Sequence, residues 1–155
     1  MIFLAYIGAC LAAYIIQTTL LSGWPLRPEL VLLVSCLFLS GRSYASLILG
    51  CLTGLFLDVL NGYGLYNTAL YALTGLLCGF MPVSIFRDLP SLAFVNMLIS
   101  SLLLNVGYAL LTWLLLGRAI FLTPLNYLAV VALNIIFFWL IALFFVRRCT
   151  YNPYD

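Results

Sequence analysis

The sequence predicts an all-α integral membrane protein: a compact bundle of about six transmembrane helices, the second of them short, in a single polytopic membrane domain over residues 1–155. Three observations carry that expectation. Of 155 residues, 66% are hydrophobic and 6% charged, and the mean hydropathy is +1.24, a composition outside the range of soluble domains. The apolar residues fall into six stretches separated by charges and turn residues. Small residues recur at helical spacing inside those stretches, the pattern through which helices approach one another in lipid.

A bilayer core of about 30 Å takes roughly 20 apolar residues per helix. The first stretch runs from residue 2 to about 21, the third from 44 to about 60, the fourth from about 65 to 80, the fifth from 92 to 116 and the sixth from 124 to 146. The second, from 29 to about 40, covers only about 18 Å at 1.5 Å per residue and is expected to be short, tilted or re-entrant. Pro28 just before it suits the start of a helix, where a missing amide donor costs nothing.

The chain holds no histidine and no lysine, which removes the usual imidazole base, a Ser-Lys dyad and a histidine-based zinc site. Its acids are Glu29, Asp58, Asp88 and Asp155, and only Asp58 lies near the place in a helix that an intramembrane aspartyl protease would require. No enzymatic activity, metal or cofactor is therefore expected, and with a net charge of +2 and no basic run, no nucleic-acid partner. Cys10, Cys36, Cys51 and Cys78 lie inside apolar stretches and Cys149 in the tail, without a CxxC pair, and read as small packing residues. The opening MIFLAYIGAC lacks the basic n-region of a secretory signal, so no cleavage is expected.

Contact faces are legible. Gly50 and Gly54, with Ser46 and Thr53 alongside, form a narrow groove on the third helix; Ala72, Gly75 and Gly79 form one on the fourth; Ala5, Ala9 and Ala13 make a stripe on the first. Each can pack the bundle against itself or face a partner. Ser101, Asn105, Tyr108 and Thr112 fall on one side of the fifth helix, with Gln17 and Asn134 as candidate donors to that stripe. Asp58 follows Gly54 by four residues on the same face, close to its helix's C-terminus, where the macrodipole disfavours a negative charge. Something must compensate it. The candidates are the amides of the Asn61-Gly62-Tyr63-Gly64 turn and the outer arginines Arg27 and Arg118. An acid at membrane depth is either functional or the lock of that turn.

The run Gly50-xxx-Gly54-xxx-Asp58, followed by Gly62, Gly64 and Leu65 and then Leu70, Tyr71 and Gly75, resembles the central signature of the MreD family of rod shape-determining membrane proteins. Length, six apolar segments and an early proline-bearing loop agree with that resemblance over essentially the whole chain. The low charge, with no lysine and little basic tail, departs from it. The resemblance implies a non-enzymatic inner-membrane scaffold of the bacterial elongation machinery for lateral peptidoglycan synthesis. Its implied partners are MreC, the RodA glycosyltransferase and a class B penicillin-binding protein, with MreB filaments reached indirectly. The family is similar in fold to the substrate-binding subunits of energy-coupling-factor vitamin transporters, which supply the alternative reading. Such a subunit would line an outward pocket from Asp58, Asn105, Tyr108 and Arg118.

Six crossings place Arg42, Arg87, Arg147 and Arg148 on one side and Arg27 and Arg118 on the other, so the positive-inside rule puts both termini in the cytoplasm. Trp24, Tyr63, Tyr66 and Trp113 then sit near the outer interface and Tyr44, Phe86, Tyr151 and Tyr154 near the inner one. Single cysteines in a cysteine-free background check this: in intact spheroplasts an impermeant thiol reagent is expected to label position 62 and to spare positions 87 and 152. The reverse pattern would invert the orientation.

Overall fold

The computed structural model describes residues 2–23, 28–41, 43–62, 64–81, 88–117 and 124–146. All six arginines, Trp24, Tyr63, Phe86, Tyr151 and Tyr154 lie outside these residues, as do the orientation and the ionic roles expected of Arg27 and Arg118. Six helices follow one another: α1 (Ile2–Thr19), α2 (Leu30–Leu39), α3 (Ser43–Asn61), α4 (Tyr66–Phe80), α5 (Leu89–Leu116) and α6 (Pro124–Val146). The described residues contain no strand.

α2 sits at the centre. Its sequence LVLLVSCLFL has one polar residue, Ser35, and eight of its ten residues are buried, so little of it faces lipid or solvent. It packs against all five other helices. Its shortness follows from that position: at about 1.5 Å per residue it is roughly 15 Å long, a core plug about half the length of a bilayer crossing. Leu32, Leu33 and Leu39 of α2 are fully enclosed together with Leu92, Met97 and Leu104 of α5 and Phe138 of α6.

α3 and α4 form the tightest pair. Ser46, Gly50, Gly54 and Asp58 recur every four residues and so share one face of α3. A Cβ on Gly50 would stand 3.1 Å from the Gly75 Cα, and one on Gly54 2.5 Å from the Thr68 Cα. A Cβ on Gly75 would stand 3.0 Å from the carbonyl carbon of Ser46. Only glycine allows the two backbones to meet this closely. The grooves expected on the third and fourth helices are thus the two halves of one seam inside the chain. Tyr6 ties α1 to the same region, its hydroxyl lying within hydrogen-bond reach of Ser35 of α2 and Thr53 of α3.

The fifth helix starts at Leu89, earlier than the apolar pattern indicates, because Pro90 falls in the first turn, where no donor is required. It ends on Gly117, whose φ of 65° is left-handed and whose amide donates to the Trp113 carbonyl at 2.9 Å. Outside the bundle the surface is as apolar as the core. Phe3, Leu4, Ile7 and Ile15 of α1, Leu102, Leu110 and Leu114 of α5, and Leu125, Leu128, Ile136 and Leu143 of α6 are all exposed. Three helices, over residues 44–61, 89–114 and 124–143, are long and apolar enough to cross a membrane. Apolar area on this scale indicates association with lipid.

Gly54→Leu and Gly75→Leu are expected to separate α3 from α4. Overpacking of a close core costs about 1–3 kcal/mol, and here the obstruction is backbone with no side chain to yield. Gly8, where an added Cβ would meet nothing within 4 Å, is the control. Thermal unfolding in detergent checks the difference: both leucine variants should melt well below wild type while Gly8→Ala stays level.

Candidate functional site

The α3–α4 hairpin is antiparallel, so the C-terminal turn of α3, where a carboxylate is disfavoured, lies beside the N-terminal turn of α4, where unpaired amide donors favour one. Asp58 exploits that neighbourhood. Its Oδ1 accepts from the Asn67 amide at 2.9 Å and from Asn67 Nδ2 at 2.9 Å. Its Oδ2 accepts from the Thr68 amide at 2.8 Å and from Thr68 Oγ1 at 2.7 Å. Asn67 and Thr68 are the second and third residues of α4, so Asp58 works as an N-cap supplied by the preceding helix. Leu65, which occupies the cap position in the chain, has no side-chain oxygen to offer. Tyr108 of α5 completes the group by donating its hydroxyl to Asn67 Oδ1.

The compensation therefore differs from the one the sequence suggests. Gly62 and Gly64 have φ values of 68° and 71° and shape the turn, but the Gly62 amide donates to the main-chain carbonyl of Asp58 at 2.9 Å, not to its carboxylate. The donors come from Asn67 and Thr68, which sequence reasoning passed over. An Asn-Thr pair at the head of an apolar run, Tyr66-Asn67-Thr68-Ala69, was the available signal, since those residue types cluster at helix starts.

The other expected site residues separate into those the seam unites and those it does not. Gly50, Gly54, Asp58 and Gly75 lie together, and Gly79 is half-buried one turn further along α4. On α1, Ala13 is buried, Ala9 half-buried and Ala5 exposed, so that stripe turns from core to surface. On α5, Ser101 is buried, Asn105 partly so, and Thr112 donates to the Tyr108 and Ala109 carbonyls of its own helix. Asn134 does not serve the α5 stripe as expected: its Oδ1 accepts the Glu29 amide at 2.8 Å. Gln17 Oε1 is buried without a hydrogen-bond partner.

A carboxylate offers about four lone-pair sites, and those of Asp58 meet four donors. It holds the first turn of α4 through all of them. Among the described residues no three His, Cys, Asp or Glu side chains converge as a metal site would require. Comparison with protein-family models, characterised proteins and solved structures returns no match for this chain.

Asp58→Asn keeps one acceptor oxygen and turns an amide group toward the Thr68 N–H, donor against donor; Asp58→Leu removes every acceptor. Each buried donor left without a partner costs about 1–3 kcal/mol. Thermal unfolding should therefore rank wild type first, Asp58→Asn second and Asp58→Leu last, with the exchange of the Asn67 and Thr68 amides accelerated most in the leucine variant. A leucine variant as stable as wild type would show that the cap is dispensable.

Proposed function

We propose that this protein is a non-enzymatic scaffold of the MreD family. It acts in the bacterial inner membrane as a multi-pass protein with both termini cytoplasmic, within the elongation machinery that builds the lateral peptidoglycan wall. MreC is its direct partner; RodA and a class B penicillin-binding protein join the same assembly, and MreB filaments are reached indirectly. The observation that supports this reading is that the residues carrying the resemblance act as one physical device. Gly50, Gly54 and Gly75 bring α3 and α4 into backbone contact, and Asp58 fixes the start of α4. A signature of this kind serves the shape of a hairpin. It suits a protein whose work is to present helix faces.

The apolar exteriors of α1, α5 and α6 supply those faces, since a partner's transmembrane helix and lipid acyl chains make comparable demands on such a surface. The vitamin-transporter alternative loses its most polar candidate, because the Asp58 oxygens are already taken by Asn67 and Thr68.

Co-purification from native membranes tests the reading. The wild-type protein is expected to bring down MreC and wall synthases, and Gly54→Leu at equal abundance to bring down several-fold less MreC. Recovery of a vitamin with ATPase subunits, and no MreC, would replace the scaffold by the transporter subunit.

A further inference from the structure

We propose that Cys36 and Cys78 are a redox-responsive pair, joined under oxidising conditions by a disulfide that ties the central helix α2 to α4. The inference concerns residues outside the Asp58 cap and does not depend on which partners the protein has.

The fold brings together two cysteines that the sequence keeps far apart. Cys36 lies in the last turn of α2 and Cys78 in the last turn of α4. The main chain holds these two helix ends side by side, because the Gly41 amide, just past α2, donates to the Cys78 carbonyl at 3.3 Å. A carbonyl in the last turn of a helix has no partner within that helix, so the bond is one the hairpin needs. The Cys36 carbonyl is tied at its own helix end, accepting from the Ser40 amide at 3.2 Å and from Ser40 Oγ at 2.6 Å.

The side chains meet as the backbones do. Both cysteines are fully enclosed, and the Cys36 thiol lies within hydrogen-bond reach of the Cys78 thiol. Each is a free thiol in this structure. A buried cysteine that serves only as packing needs no more than apolar neighbours. A disulfide needs two sulfurs in contact and two backbones close together, and the Gly41 bond supplies the second condition. Cys10, by contrast, lies beside Tyr6, Ser35 and Thr53, and Cys51 is half-buried on α3.

A third helix contributes a donor. Ser100 of α5 is fully enclosed beside Cys36, and its Oγ otherwise has no hydrogen-bond partner. Disulfide formation starts from a thiolate. In apolar surroundings such an anion lacks donors, and the Ser100 hydroxyl is placed to supply one.

Oxidation breaks two S–H bonds and forms one S–S bond, and two electrons and two protons pass to the oxidant. Enclosure demands an uncharged oxidant. Diamide, whose N=N bond takes up those electrons and protons to become a hydrazine, is the probe. The full-length protein in lipid nanodiscs is treated with diamide, denatured in SDS with N-ethylmaleimide and mapped by mass spectrometry. The monomer is expected to carry maleimide on three of its five cysteines, with one linked peptide joining Cys36 to Cys78, and dithiothreitol is expected to restore all five. The oxidised protein should melt above the reduced one, since the link constrains the unfolded chain. Cys78→Ala, which keeps a small apolar side chain in the enclosed site, is expected to lose both the linked peptide and the rise in melting temperature. Five alkylated cysteines after diamide, or a linked peptide that joins any other pair, would overturn the proposal.

Discussion

The contact between the Asp58 carboxylate and the first turn of α4 depends on the glycine seam, and the seam depends on it. Oδ1 and Oδ2 reach Asn67 and Thr68 because Gly54 lets α3 approach the α4 backbone at that level. Any side chain at position 54 would push the carboxylate out of hydrogen-bond range of the amides it serves. Conversely, an uncapped α4 would leave the Asn67 and Thr68 amides without the acceptors they now have. Tyr108 extends the arrangement to α5 through Asn67, so one acid bears on three helices.

α2 solves a different problem. A helix with a single polar residue gains little from exposure to water, and surrounding it with five others allows a small chain to own a core at all. Several polar residues of the bundle, Ser35, Ser40, Asn96 and Asn134 among them, are buried between the helices. Ser40 accepts from Asn96 Nδ2 at 2.9 Å while donating to the Cys36 carbonyl at 2.6 Å, and Ser35 donates to the Val31 carbonyl at 2.8 Å. The first of these bonds ties the end of α2 to α5 in surroundings where hydrophobicity alone does not tell one helix from another.

Much of this was legible in the residues themselves. The sixth apolar stretch, 124 to 146, coincides with α6, and the four-residue spacing of Gly50, Gly54 and Asp58 marks the face that α3 presents to α4. Helix spacing is a local property, so a sequence displays it. What local pattern could not convey was which groups meet across the fold. The Gly62 and Gly64 amides are nearer to Asp58 along the chain than those of Asn67 and Thr68, but a hairpin that reverses direction brings the later pair to the carboxylate. Likewise the short second stretch signalled an unusual helix, while its place at the centre follows only from the packing of five others around it.

Two carboxyl groups at two helix starts are bonded very differently by their surroundings. At α4 the acid arrives from the neighbouring helix, so its side chain points along the open N–H groups and finds all four of its partners. At α2 the acid belongs to the helix it precedes, with φ −87° and ψ 69°, outside the extended conformation from which an N-cap side chain folds back onto the amides of its own first turn. Its backbone is instead drawn to Asn134. The first geometry stabilises a charge and uses it to position a helix. The second leaves Oε2 of a half-buried glutamate buried without a donor. Helix N-termini favour anions only when the chain aims the anion at the amides, and here the fold does so at one end of α4 and withholds it at α2.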